Sequence, residues 1–263
     1  MIRIAVYDKD GNCIAESKGD KQVHLLVNRE YRAGDCIVLD SDERQFMSVK
    51  LEACIEKTLV YSSGGSFRFF IPFGEERMPY PQGAFEGALH ILEAMQVLPS
   101  ELTGNRDLST NPLDIRGETT LFPHCTASVE TRDESIFAAR NTIDGLQETN
   151  GHGSWPYTSW GDNEDPDAEI EINFGRNVIV DRVVINLRSD FPHDNYWKQL
   201  DIVLRVDKVL TVGMKKTGED QCFDAGGVIT DRVKLCRLRK DETDPSPFPA
   251  LTHWQVFGSE CEE

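Results

Sequence analysis

The chain has 263 residues, enough for one large domain or two ordinary ones, and 39% hydrophobic with 28% charged residues excludes a disordered or fibrous protein. The net charge is −17, with 11 basic against 15 acidic residues up to position 100 and 17 against 30 beyond it. Such a field repels a phosphate backbone, and no basic stripe with interleaved aromatics offsets it, so nucleic acid is not an expected partner.

The first residues, Met1 to Asp8, read as a strand and lack the basic, apolar and small-residue succession of a signal peptide. No apolar run approaches the roughly 20 residues that span a bilayer, so no membrane span is expected. Seven scattered cysteines without a CxxC pair fit reduced thiols and a cytoplasmic location, and they disfavour a structural zinc site.

Short β-forming runs then recur between turn signals: Ile2 to Tyr7, Gln22 to Asn28, Cys36 to Asp40, Phe46 to Leu51 and Phe67 to Ile71. Their spacing predicts a sandwich or barrel over residues 1–104. Residues 83–98 suit two periods: Phe85, Ala88, Leu89, Leu92 and Met95 fall at helical spacing, while Leu89, Ile91, Met95 and Val97 alternate. A helix is expected there. Breakers accumulate from Pro99 to Pro123, which predicts a linker or interdomain strap over 105–123 that buries little area, with limited proteolysis releasing two fragments.

Beyond it, residues 124–263 return to strands. Ile170, Ile172 and Phe174 alternate with Glu169, Glu171 and Asn173, and Gly175-Arg176-Asn177 is expected to close that strand. Val178 to Leu187, Leu200 to Val206, Val209 to Met214, Val233 to Leu238 and Trp254 to Phe257 follow. The expected fold class is all-β, with two β-sandwich domains.

All four tryptophans lie in the second half, and Trp155, Trp160 and Trp197 sit in or beside segments that read as loops. An indole in a loop offers its flat face to sugar C–H groups or to a cation, although core packing accounts for a tryptophan equally well. Between two strands lies a dense polar run with Arg188, Asp190, His193, Asp194, Asn195 and Trp197, which supplies forked donors, acceptors, an imidazole, an amide and an aromatic plate. These groups recognise vicinal hydroxyls; the plainer alternative is a loop tied down by an Arg188 ion pair to Asp190 or Asp194. A second loop, Asn150 to Gly161, carries His152, Trp155 and Trp160 among glycines and hydroxyls.

The stretch Phe137-Ala138-Ala139-Arg140-Asn141-Thr142-Ile143-Asp144-Gly145, then Trp155, the strand Ala168 to Phe174 with Gly175, and the closing Trp254-Gln255-Val256-Phe257-Gly258 resemble the discoidin, or coagulation-factor C-type, domain over residues 120 to 258. The resemblance implies a galactose-binding-like jelly roll that binds sugars, phospholipid head groups or proteins at loops on one end, without catalysis. It also implies a structural calcium held by backbone carbonyls and by Asp144, the Asp of an Asn-x-x-Asp-Gly motif. The acidic residue common before the closing glycine falls at His253, a poor calcium ligand.

The expected function is non-catalytic carbohydrate binding, with a saccharide as partner and no certain cofactor. Two alternatives stand beside it. One is a protein-interaction module in which residues 1–104 dock a partner or a second copy. The other is an enzyme in which His193 with Asp190 or Asp194 does acid–base chemistry on a sugar between the two domains; no nucleophile elbow, HExxH helix, Walker loop or Rossmann fingerprint supports it.

Overall fold

Short strands build the first half of the computed structural model, which describes residues 1–189 and 194–261. β1 (Ile2–Tyr7) buries Ile2, Ile4 and Val6 and turns into β2 (Cys13–Gly19) at Asp8, whose Oδ1 accepts the backbone N–H groups of Asp10 and Asn12 at 2.9 and 2.8 Å. There follow β3 (Gln22–Val27), β4 (Cys36–Ser41), β5 (Gln45–Lys50), β6 (Thr58–Ser62), β7 (Gly65–Phe70) and β8 (His90–Val97), then the short β9 (Arg106–Asp107) and β10 (Leu121–Phe122). Among the described residues all of these but β9 form a four-stranded sheet, order β2-β1-β4-β7, and a five-stranded sheet, order β10-β6-β5-β8-β3. Val23, Leu25, Val27, Leu92 and Ala94 meet Ile4, Val6, Ile37 and Leu39 in one core.

The helix expected within 83–98 is not formed. β8 pairs with β3 and β5 on either side, burying His90, Leu92 and Ala94 and exposing Ile91 and Met95, with Leu89 exposed just before it. Apolar residues occupy both of its faces, so the alternation that sets its burial was masked.

The segment 105–123, expected as a linker or interdomain strap, is a strap that buries more than its composition suggests. Leu108 lies in the core of the second half, while Leu113 and Leu121 lie in that of the first. β9 pairs with the last strand of the chain and β10 with β6. Its few apolar residues are all placed inward, which its polar composition concealed.

The second sandwich comprises β11 (His124–Ala127), β12 (Trp160–Gly161), β13 (Ile170–Arg188), β14 (Asp194–Asn195), β15 (Trp197–Arg205), β16 (Lys208–Gly213), β17 (Gln221–Lys240) and β18 (Phe248–Glu260). The order is β12-β18-β13-β17-β15-β16, with β11 on β13 and both β9 and β14 on β18. The protein is all-β, and this half is a jelly roll whose long strands bend at bulges. β13 is one such strand: the close expected at Gly175-Arg176-Asn177 is a register shift between Asn173 and Val178, after which pairing with β17 resumes. Gly175 takes φ +69° there, and the Phe122 ring fills the space a Cβ would need.

The two sandwiches touch along a polar and aromatic seam. Arg176 donates to both oxygens of Glu260 at 2.7 Å and lies over Phe46 and Tyr61, at 4.7 and 5.1 Å from their centroids. The Trp155 N–H donates to Met78 O at 2.8 Å, and Arg140 stacks 4.7 Å from the Tyr80 ring. Among the described residues, no helix is long and apolar enough to cross a membrane.

Candidate functional site

Arg188 ends β13 at one end of the second sandwich, where the strand carries it out of the core only 6% exposed. Its Nη2 lies 3.1 Å from Asp194 Oδ1, its Nη1 donates to Ser159 Oγ at 3.3 Å, and its guanidinium sits 6.0 Å from the Phe137 ring centre. Its buried Nε has no hydrogen-bond partner among the described residues.

Beside Arg188 opens a cleft of about 350 Å³, with Phe137 in its wall. Two turns form its sides, 131–134 and 161–164. Arg132 is fixed by Glu134, with Nε–Oε1 at 2.6 Å and Nη2–Oε2 at 2.9 Å, and lies 5.4 Å from the Phe137 ring centre. Asn163 Oδ1 accepts the Arg132 N–H at 3.3 Å, joining the two turns. Four non-glycine residues in these turns adopt left-handed backbone: Arg132 (φ +53°), Asp133 (+51°), Asn163 (+50°) and Glu164 (+60°). Strain of this kind persists where the surroundings over-determine it, and it concentrates at ligand sites. The rim carries exposed His152 and the ring of Phe248, 46% exposed at the start of β18.

Of the residues singled out in the sequence, the cleft brings together His152 and Arg188, with Asp194 paired behind Arg188. Asp190 and His193 lie outside the described residues. Asn195 is fully buried; its Nδ2 donates to Asp241 O and Ser246 O at 3.0 and 2.6 Å, so its amide pins the 241–246 loop.

Trp160 and Trp197 correct the stacking expectation, because they are 0% and 1% exposed and neither ring face is open. Trp160 donates through Nε1 to Val129 O at 2.8 Å and Trp197 to Asp162 Oδ2 at 3.0 Å. Their rings pack together with centroids 5.8 Å apart. Burial pushes the Asp162 carboxyl up, and the Trp197 N–H opposes that shift. Trp155 is half-buried and lines a different cavity of about 300 Å³ between the sandwiches, together with Asp144.

Sequence reasoning missed Arg132, Phe137, Asn163, Glu164 and Phe248. A signal existed for two of them: Phe248 stands between Pro247 and Pro249, and Asn163 lies in the turn-forming run Asp162 to Pro166.

Asp144 carries the calcium expectation. Its Oδ1 accepts the Leu146 N–H at 2.9 Å, while its Oδ2 is buried without a hydrogen-bond partner among the described residues. Burial pushes the carboxyl up to about 7 against the opposing pull of Arg140, of the Leu146 N–H and of the nearby Thr158 hydroxyl. An oxygen in that position fits a hard cation, but no group of three or more His, Cys, Asp or Glu suited to a metal is found among the described residues. His253 is buried, and its pKa is pushed down to about 4 chiefly by burial.

Fold and cleft together define a two-sandwich all-β protein with a polar, aromatic-rimmed cleft at one loop end. No protein-family model matches the chain, and no curated protein matches it. Solved structures do. A chitosan-binding module of a chitosanase/glucanase from Paenibacillus sp. IK-5 shares 18% identity over 58% of this chain and 99% of its own, with a TM-score of 0.41. A family 32 carbohydrate-binding module from C. perfringens NanJ, in complex with galactose, shares 15% over 51% and 91%, with a TM-score of 0.38. A Streptococcus pneumoniae fucose-binding module shares 13% over 57% and 96%, also with a TM-score of 0.38.

Proposed function

We propose that the protein is a non-catalytic carbohydrate-binding protein of discoidin type, taking a saccharide in the cleft at Arg188. The observation that carries this reading is the meeting of a buried arginine, whose Nε lacks a partner among the described residues, with His152 and an exposed phenylalanine ring on one rim. The unpartnered Nε–H and an imidazole suit sugar hydroxyls, and the Phe248 ring offers a face to sugar C–H groups. A glycan array followed by calorimetric titration of the best saccharide tests it. Phe248→Ala and His152→Ala, both at the exposed rim, are each expected to weaken binding roughly tenfold, about 1.4 kcal/mol, with the melting temperature unchanged. Wild-type affinity in both variants, or no saccharide bound by the parent, overturns the reading.

A structural calcium at Asp144 belongs to the same proposal, supported by the burial of its carboxylate, whose Oδ2 no backbone N–H answers. Added calcium should raise the melting temperature of the parent and leave Asp144→Asn unmoved. A second reading, a protein partner or second copy on the N-terminal sandwich, draws on Leu26, Ile91 and Met95. These are 59%, 49% and 41% exposed on the outer face of β3 and β8. Concentration-dependent mass in solution, abolished by Ile91→Lys, is the outcome that supports self-association.

A further inference from the structure

A larger cleft, about 660 Å³, lies between the two sandwiches and has no part in the saccharide reading. That volume is within the usual range for small-molecule sites, which favour junctions of this kind. The end of β7 and the residues after it supply Phe70 and Phe73; Phe70 is 61% exposed, a large ring left open at the rim. The second sandwich contributes a carboxylate wall with Glu130, Asp133 and Glu134, and Glu76 reaches it from the first.

Most of the charge here is already matched. Arg140 cannot answer the carboxylates: its Nε, Nη2 and Nη1 donate to Asp114 O, Pro112 O and Asn141 Oδ1 at 2.8, 2.8 and 3.0 Å. Glu134 is held by both arms of Arg132. Arg116, its side chain 78% exposed, lies 3.2 Å from Asp133 but 3.8 Å from Glu130 Oε2, beyond hydrogen-bond length. Glu130 is 12% exposed at its side chain, and its Oε1 accepts the Ala139 N–H at 2.7 Å, which aligns the carboxylate and leaves Oε2 with that long contact. Glu76 forms no ion pair among the described residues.

We propose that this cleft is a second ligand site, for a small organic cation with one protonated amine and a flat apolar body. The flat body lies against Phe70 and Phe73, and the ammonium is shared between Glu76 and Glu130. With Glu134 held by Arg132 and Asp133 by Arg116, the positions left for a ligand are Glu76 and Glu130 Oε2, both acidic, which favours a cation over an anion or a neutral molecule. Cation–π attraction from the open Phe70 ring adds to the preference, while Phe73 already carries Arg77 at 4.9 Å from its ring centre.

The test is calorimetric titration of the full chain with tryptamine and with tryptophol, which replaces the amine by a hydroxyl on the same indole. Tryptamine is expected to bind at least tenfold more tightly, with the margin narrowing as salt is raised. The double variant Glu76→Gln/Glu130→Gln keeps an acceptor for the Ala139 N–H and should bring the two affinities together. Phe70→Ala, at an exposed position, should weaken both ligands without lowering the melting temperature, so it reports on the site even where the double variant folds poorly. Equal affinities in the parent, no binding of either ligand at millimolar concentration, or a tenfold preference that survives in the double variant overturns the proposal. None of these results depends on saccharide binding at Arg188.

Discussion

At position 197 an indole that the sequence offered as a binding plate is spent on the core, and this changes what its removal reports. Trp197→Ala empties a site shared with Trp160 and leaves Asp162 Oδ2 without its N–H donor, so a loss of about 3–5 kcal/mol in stability is expected. Arg188→Ala does similar damage by removing the ion pair to the fully buried Asp194, at about 3–5 kcal/mol. Melting curves on both variants check this; an unchanged midpoint for either would mean that the residue is not bound into the fold as described. His253 gives a pH signature. Burial holds its pKa at about 4 in the folded chain against roughly 6.5 when unfolded, while Asp107 and Asp220 pull the other way. Between those values the unfolded chain binds the extra proton, so stability is full above about pH 6.5 and falls as the pH drops towards 4, by up to about 3 kcal/mol. His253→Gln should flatten that part of the pH–stability curve relative to the parent, and a parallel curve would remove His253 as its cause.

Among the elements, the turn at 131–134 and the short strand β12 show how packing shapes the cleft. At Gly161 a Cβ would stand 2.5 Å from Thr131 Oγ1, so a side chain there must push the turn that carries Arg132. Gly161→Ala is expected to lower saccharide affinity several-fold while costing little stability, measured by titration beside a melting curve; unchanged affinity would show that the wall does not set the site. At Gly258 the constraint is harder, since a Cβ would run into the Ile179 carbonyl oxygen of the neighbouring strand, which cannot yield. Gly258→Ala should therefore prevent β18 from pairing beside β13 and leave little soluble protein.

For the whole molecule the strap decides how the halves behave. Because Leu108 is buried in one core and Leu113 and Leu121 in the other, cutting between them requires both cores to open locally. Proteases are expected to spare residues 106–115 under native conditions, and the two sandwiches to melt in one transition. Early release of two stable fragments would show that the seam is weak. Arg176→Ala, which removes the stack on Phe46 and Tyr61 and the pair with Glu260, is the variant expected to split that transition into two.

The sequence by itself determined the all-β class and most strands, because a half-buried strand writes its burial as alternation, as in Ile170, Ile172 and Phe174. It also singled out His152 and Arg188, which the fold places on one cleft. Alternation fails where both faces are apolar, and so β8 was read as a helix. Composition likewise fails where a few leucines carry the burial, as in the strap. What only the tertiary structure decided is which aromatic ring faces the cleft: Trp160 and Trp197 have the chemistry of a binding plate, yet the long bent strands place them inside, and Phe248, set between two prolines, is the ring left at the rim. Exposure depends on which distant segments pack over a residue, and no local pattern records that.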